Sequence, residues 1–267
     1  MTIKTKIAKV LPDKLKAIIR PVYRKLIQGV SAEKATNLKI GSFDGFDLAF
    51  REGTTDEIII GNRASYHLSS LLPEYSPKDN DVIINIGAHI GVFALIASSA
   101  VPKGKVYAVE ASKDTFNLLR INAAINKADN ISIHQIAIAD KNGTCSLYHD
   151  TGHWGHSITK QLSTHIEIVD SLTLEEFLSE NKIKKCNFLY LNCEGAEFPI
   201  LLSASPHTLE NFDIILTDCH THLWLKNTMD DLLAHLRASG FDARLLENEG
   251  SYNRIVAMNS SLRVSGV

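Results

Sequence analysis

From residue 81 onward the chain alternates short apolar runs with segments whose apolar residues recur every three to four positions. The runs predict strands at 82–86, 106–110, 131–139, 188–192 and 212–219. The helical spacing predicts helices at 89–100, 113–126, 174–180, 197–203 and 229–239. Runs such as DVIINI and FDIILTD hold too few polar positions for a strand with one wet face. They suit a largely parallel sheet covered by helices on both sides, an α/β architecture. Two closing runs, 243–246 and 255–258, follow one another across Glu249-Gly250 with no helix between them. They predict an antiparallel hairpin at one sheet edge. A further hairpin is expected from 144–149 and 165–169, enclosing a polar loop.

Before residue 81 the pattern is less regular. NLKIGSFDGFDLAF predicts two short strands around Asp44-Gly45, followed by short helical stretches near 56–63 and 66–72. Pro73 and SPKDND read as a linker. Residues 1–30 carry eight Lys and Arg against Asp13 alone, with Leu15, Ile18, Ile19, Val22 and Leu26 at helical spacing. That segment reads either as a solvated helix packed on the domain or as a docking helix with weak affinity for a membrane surface or a partner. The expected organisation is a helical and short-strand extension over 1–78 and a main domain over 79–267.

Composition narrows the field. A net charge of −2 supplies no overall field for nucleic acid, so none is expected as a partner. The four cysteines (Cys145, Cys186, Cys193 and Cys219) form no C-x-x-C pair, and two of them lie at the ends of apolar runs. They suit reduced thiols. No apolar stretch approaches a membrane span, and the start lacks the pattern of a signal peptide, so a cytoplasmic location is expected.

The first strand runs into Asn85-Ile86-Gly87-Ala88-His89-Ile90-Gly91. Gly87 permits a sharp turn and close approach of a ligand to the backbone, and Gly91 lets the next helix pack near the strand. The spacing is G-x-x-x-G, without the second glycine that admits a pyrophosphate. Glu110 ends the second strand, about 20 residues on, where an acid commonly takes ribose hydroxyls. A ribose acid without a pyrophosphate glycine points to an adenosine cofactor lacking a diphosphate. A nicotinamide dinucleotide is the alternative the missing glycine disfavours.

GSFDGFDLAFREGTTDEII, DVIINIGAHIGVFALIAS, GKVYAVEASKDTFNLLRINAAIN, IAIADKNG and NFLYLNCEGAEFPIL, in this order and spacing, resemble the FkbM family of methyltransferases. The resemblance runs from about Phe43 to about His220. It implies a class I Rossmann-like fold, a mostly parallel seven-stranded sheet in the order 3-2-1-4-5-7-6. It also implies methyl transfer from S-adenosylmethionine, usually to a hydroxyl of a sugar, glycan or other small metabolite. The implied cofactor-binding residues are Asn85, Gly87, Ala88, His89, Gly91, Glu110, Ala111, Ala137 and Asn192. The family usually has Asp at 85 and 192, Asn at 89 and Pro at 111. Asparagine at 85 and 192 keeps hydrogen bonding and loses the charge that would attract a sulfonium and an ammonium. A non-catalytic binding or scaffold protein on this fold is therefore the alternative reading.

Methyl transfer to oxygen needs an aligned acceptor, exclusion of water and a group to take the acceptor proton. The candidates after the fourth and fifth strands are Asn192, Glu194 and His220. His220 is favoured as base by its ordinary pKa and Glu194 is the substitute if burial raises its pKa. Glu197 reads as a helix N-terminal acid. His153, Trp154 and His156, in the polar loop, are candidate acceptor contacts. The concentration of histidines with Cys219, Glu194 and Asp218 makes a divalent metal conceivable, but Asn192 stands where a further carboxylate would help, so none is expected to be required.

Overall fold

The computed structural model describes residues 38–150, 155–249 and 252–263. The basic segment 1–30, and with it the docking-helix reading, lies outside the described residues, as do His153 and Trp154.

The chain opens with an antiparallel hairpin, β1 (Leu38–Phe43) and β2 (Phe46–Arg51), turning at Asp44-Gly45. Helix α1 (Thr55–Gly61), a 3-10 turn (Arg63–Tyr66) and α2 (Leu68–Leu71) follow. Then come β3 (Val82–Ile86), α3 (Val92–Ala100), β4 (Lys105–Val109), α4 (Lys113–Ile125) and β5 (Ile131–His134). Next are β6 (Ala137–Ile138), β7 (Gly143–Tyr148), β8 (Ile166–Leu172) and α5 (Leu174–Glu180). The chain continues through β9 (Cys186–Leu191), α6 (Glu197–Ser203), α7 (Pro206–Leu209) and β10 (Phe212–His220). It closes with α8 (Met229–Ala238), β11 (Phe241–Glu249) and β12 (Tyr252–Asn259).

Seven strands form one sheet in the order β11-β12-β10-β9-β3-β4-β5. Counted along the sheet strands alone, this is 3-2-1-4-5-7-6 read from the other edge, the class I arrangement. β12 runs antiparallel to both neighbours, and the pairs among β10, β9, β3, β4 and β5 are parallel.

The core follows the period-two geometry of buried strands. Ile83, Phe188, Tyr190 and Leu216 point to one face, where α3, α4 and the β1–β2 hairpin pack. Ile84, Leu189, Leu191 and Ile215 point to the other, under α5, α6 and α8. The buried Asn122 of α4 ties the hairpin to the glycine turn. Its carboxamide accepts from the Ala49 amide (2.6 Å) and donates to the carbonyls of Ala49 (3.1 Å) and Ile90 (2.7 Å).

Two expectations are corrected. The helix expected from residue 89 begins at Val92, because His89 (φ 51°) and Gly91 (φ 94°) are left-handed and cannot continue a right-handed helix. The strand expected over 131–139 is two strands. β4 offers β5 no partner past His134, whose carbonyl takes the Glu110 amide (3.0 Å). The chain then leaves the main sheet, and β6 pairs with β8 in a three-stranded sheet, β6-β8-β7. That departure carries Ile136, Ala137 and Ile138 onto the wall of the cleft described next.

Candidate active site

The carboxyl ends of β3, β4 and β9 open onto one cleft, the crevice expected of an open parallel sheet. Asn85, at the end of β3, is 1% exposed, and its Oδ1 is buried without a hydrogen-bond partner from the protein. The next residues turn sharply, and the Gly87 and Ala88 amides donate to the Val109 carbonyl (3.0 and 2.9 Å). Gly87 has φ 80°, and a Cβ placed there would lie 1.8 Å from the Asn192 carbonyl oxygen. The approach of the loop after β9 to residue 87 therefore requires a glycine there.

Glu110 follows β4, the strand paired with β3. Its Oε2 accepts from the His89 amide and its Oε1 from the Ser112 amide, both at 2.9 Å. Burial pushes the carboxyl up to about 6, against the two amides and the Arg51 charge, which hold it down. Each oxygen keeps a lone pair for a further donor. Asn85, Gly87, His89, Glu110, Ala111, Ala137 and Asn192 all line the cleft. Ala88 and Gly91 do not. Ala88 is buried in the turn, and Gly91 packs on Leu119, where a Cβ would lie 2.6 Å from Cδ1.

The loop after β9 carries a second carboxyl to the cleft. Glu194 lines the cleft in a left-handed conformation (φ 54°). Ser157 Oγ donates to its carbonyl (2.7 Å), and Gly155 packs on its side chain so closely that a Cβ would lie 2.2 Å from Cδ. Burial raises the Glu194 carboxyl above its ordinary value, although His220 acts to lower it. His220, at the end of β10, stands behind Glu194 and does not line the cleft. Its Nε2 is 3.7 Å from Glu194 Oε1 and its Nδ1 is 3.1 Å from Glu197 Oε1.

Glu197 is fully buried. Its Oε1 takes the Cys193 amide (2.7 Å) and its Oε2 the Gly195 amide (2.8 Å), so one side chain fastens both the loop and the imidazole. Burial would lower the His220 pKa. The Glu197 hydrogen bond and the charges of Glu197, Glu194 and Asp218 outweigh it and push the imidazole up to about 9. Sequence reasoning favours His220 as the base; the structure seats it between the carboxyls of Glu194 and Glu197, a setting that favours its protonated form and weakens it as a proton acceptor.

His156 lines the cleft near Glu194, and the Asp150 amide donates to its Nδ1 (3.2 Å). Behind it His149 stacks on His165 (ring centroids 4.2 Å) and lies tilted against His156 (4.3 Å), and Nε2 of His149 is 3.0 Å from Glu167 Oε2. Asp218 is occupied elsewhere, accepting from Arg254 Nε (2.6 Å) and Tyr190 Oη (2.7 Å). Among the described residues no group of three or more His, Cys, Asp or Glu is placed to hold a metal ion, and no helix is long and apolar enough to cross a membrane.

Sequence reasoning missed three contributions: Tyr66 and Ile59 on the cleft wall, and the ion pair of Arg51 with the buried Asp56, which reaches His89. Only Thr54, the N-cap that accepts from the Asp56 amide (3.2 Å), marks this region locally.

The family model described as "Methyltransferase FkbM domain" matches residues 85–243. Methyltransferase 1 of Beauveria bassiana is 25% identical over 158 residues, 51% of this chain and 62% of that protein, so the match spans less than two thirds of the relative. Among solved structures, a methyltransferase FkbM from Methylobacillus flagellatus is 12% identical, with 90% of this chain and 58% of that chain covered and a TM-score of 0.48. The Methanococcus jannaschii fibrillarin pre-rRNA processing protein is 14% identical, with 87% and 86% covered and a TM-score of 0.47.

Proposed function

Because the chain belongs to the FkbM methyltransferase family, whose domain spans 85–243, we propose that it transfers a methyl group from S-adenosylmethionine to a hydroxyl of a sugar, glycan or other small metabolite. The observation that carries the cofactor reading is the Asn85 carbonyl oxygen, buried on the cleft wall without a protein partner. An unmet buried acceptor costs about 1–3 kcal/mol, and a ligand ammonium would recover it. Asn85 would hold the cofactor's amino group, Glu110 its ribose hydroxyls, and Ala111 and Ala137 would flank its base. Bound S-adenosylmethionine supplies an electrophilic methyl group on a sulfonium sulfur.

The protein's part is to place the acceptor and remove its proton. Glu194 takes that proton in this account. It lines the cleft, and burial raises its carboxyl toward the range useful to a base. His220 stays protonated and steadies the carboxylate from behind, while Glu197 holds His220 and the 193–195 loop in place. His156 and Tyr66 stand on the acceptor side, with His156 on the loop that also carries His153 and Trp154. Asn192 contributes its backbone to the contact with Gly87 and its side chain to the cleft wall.

The test is calorimetric titration with S-adenosylmethionine, then a transfer assay on a panel of free sugars and glycosides. Binding followed by transfer is expected. Tight binding with no transfer to any member of a broad panel would favour the non-catalytic alternative, which the neutral Asn85 and Asn192 support. No binding at millimolar cofactor would overturn the reading.

A further inference from the structure

Asp56 belongs to α1, ahead of the span matched by the family model, and it is 0% exposed. Arg51 grips it on both oxygens, with Nε to Oδ2 at 2.8 Å and Nη2 to Oδ1 at 2.7 Å, and the Arg51 amide adds a third bond at 2.8 Å. A carboxylate held this way has little freedom to turn. Its Oδ1 lies 3.4 Å from Nε2 of His89, and Arg51 Nη1 reaches Thr115 Oγ1 (3.3 Å) in α4, just past Glu110.

His89 carries the strained step of the glycine turn. It is left-handed at φ 51°, although it is not a glycine. Such a residue persists only where its surroundings hold it, and the buried Asp56 carboxylate faces its ring at 3.4 Å. The amide of this same residue donates to Glu110 Oε2 at 2.9 Å, so the orientation of His89 is also the orientation of Glu110.

We propose that Asp56, held by Arg51, is a positioning residue for the cofactor: acting through His89, it aims Glu110 at the ribose. This rests on the assignment of Glu110 under the proposed function. Asp56 does not touch the cofactor. It sets the geometry of the group that does, from a segment ahead of the cofactor-binding motif.

The experiment measures the Kd of S-adenosylhomocysteine by calorimetry for the full chain, with cofactor KM, acceptor KM and kcat in parallel. Asp56→Asn is expected to weaken binding by about tenfold and raise cofactor KM alike, because it removes the carboxylate charge that faces the His89 ring at 3.4 Å. Acceptor KM, and kcat at saturating cofactor, should stay unchanged. His89→Asn leaves the Arg51–Asp56 pair intact and keeps a residue that tolerates the left-handed region. It should likewise weaken S-adenosylhomocysteine binding, and that Kd carries the test if Asp56→Asn does not fold. In a Glu110→Ala background neither substitution should weaken binding further. Wild-type affinity in both folded variants would overturn the proposal, as would an equal loss with Glu110 removed. Failure of the wild-type chain itself to bind would instead overturn the cofactor reading on which the proposal stands.

Discussion

Gly87→Ala probes the contact that joins the two halves of the cleft. The added Cβ would lie 1.8 Å from the Asn192 carbonyl oxygen and 2.7 Å from its carbon. Real Cβ atoms essentially never approach closer than 3.0 Å, so the gap must open by at least 1.2 Å, the difference of those distances. Both neighbours are backbone, and the Asn192 amide is meanwhile bonded to the Ile86 carbonyl at 3.0 Å. Losing that bond costs about 1 kcal/mol. Holding alanine at φ 80° adds about 1–2 kcal/mol. A total of about 2–3 kcal/mol corresponds to a fall in Tm of about 4–12 °C for a chain of this size. The same displacement separates Asn85 and Glu110 from the loop that carries Glu194, and a shift near 1 Å can cost about a hundredfold in rate. Differential scanning calorimetry and cofactor titration measure the two effects. A variant with wild-type Tm and wild-type affinity would refute the argument that this close approach requires a glycine.

Further expectations test the electrostatics and the far side of the cleft. Gly155→Ala pushes on the Glu194 carboxylate, so kcat should fall at least about tenfold with cofactor Kd unchanged; a parallel rise in Kd would mean that Gly155 shapes the cofactor site instead. The His220 pKa is raised from 6.5 to about 9 by folding. Its ion pairs therefore contribute stability fully below about pH 6.5 and lose it as pH rises through about 9. The Tm difference between wild type and His220→Asn should shrink over that window, and a constant difference would contradict the assignment. The Glu110 carboxyl is raised from 4.5 to about 6, so its protonated form is favoured on folding and stability is lost as pH rises from about 4.5 through 6. Ribose recognition by its charged form should correspondingly weaken as pH falls below about 6, and a Kd for S-adenosylhomocysteine that is flat from pH 5 to 8 would exclude Glu110 from the contact.

Much of the architecture is legible from periodicity, because buried strands and amphipathic helices write their faces locally. The helices at 174–180 and 197–203 have the bounds their patterns predict. The turn at Gly87 and the acid at Glu110 stand in the cleft where a strand–turn–helix and a second strand end must bring them. What stayed hidden depends on partners distant in sequence. His220 reads as a base from its ordinary pKa, yet Glu197, 23 residues earlier, bonds its ring and favours the protonated form. Asp56 falls in a stretch legible only as a short helix, yet it is buried, paired with Arg51 and set facing His89. The break after His134 depends on where β4 ends and what β8 offers, and neither is written in the apolar run 131–139.

The central claim is that Glu194 removes the acceptor proton in a cleft that independently holds S-adenosylmethionine. The most direct measurement pairs cofactor titration with single-turnover methyl transfer for wild type and Glu194→Gln. The variant should bind cofactor as wild type does and transfer methyl more slowly by a factor of about 10² to 10⁴, the span of general-base catalysis. Transfer at the wild-type rate by a Glu194→Gln variant that binds normally would contradict the account.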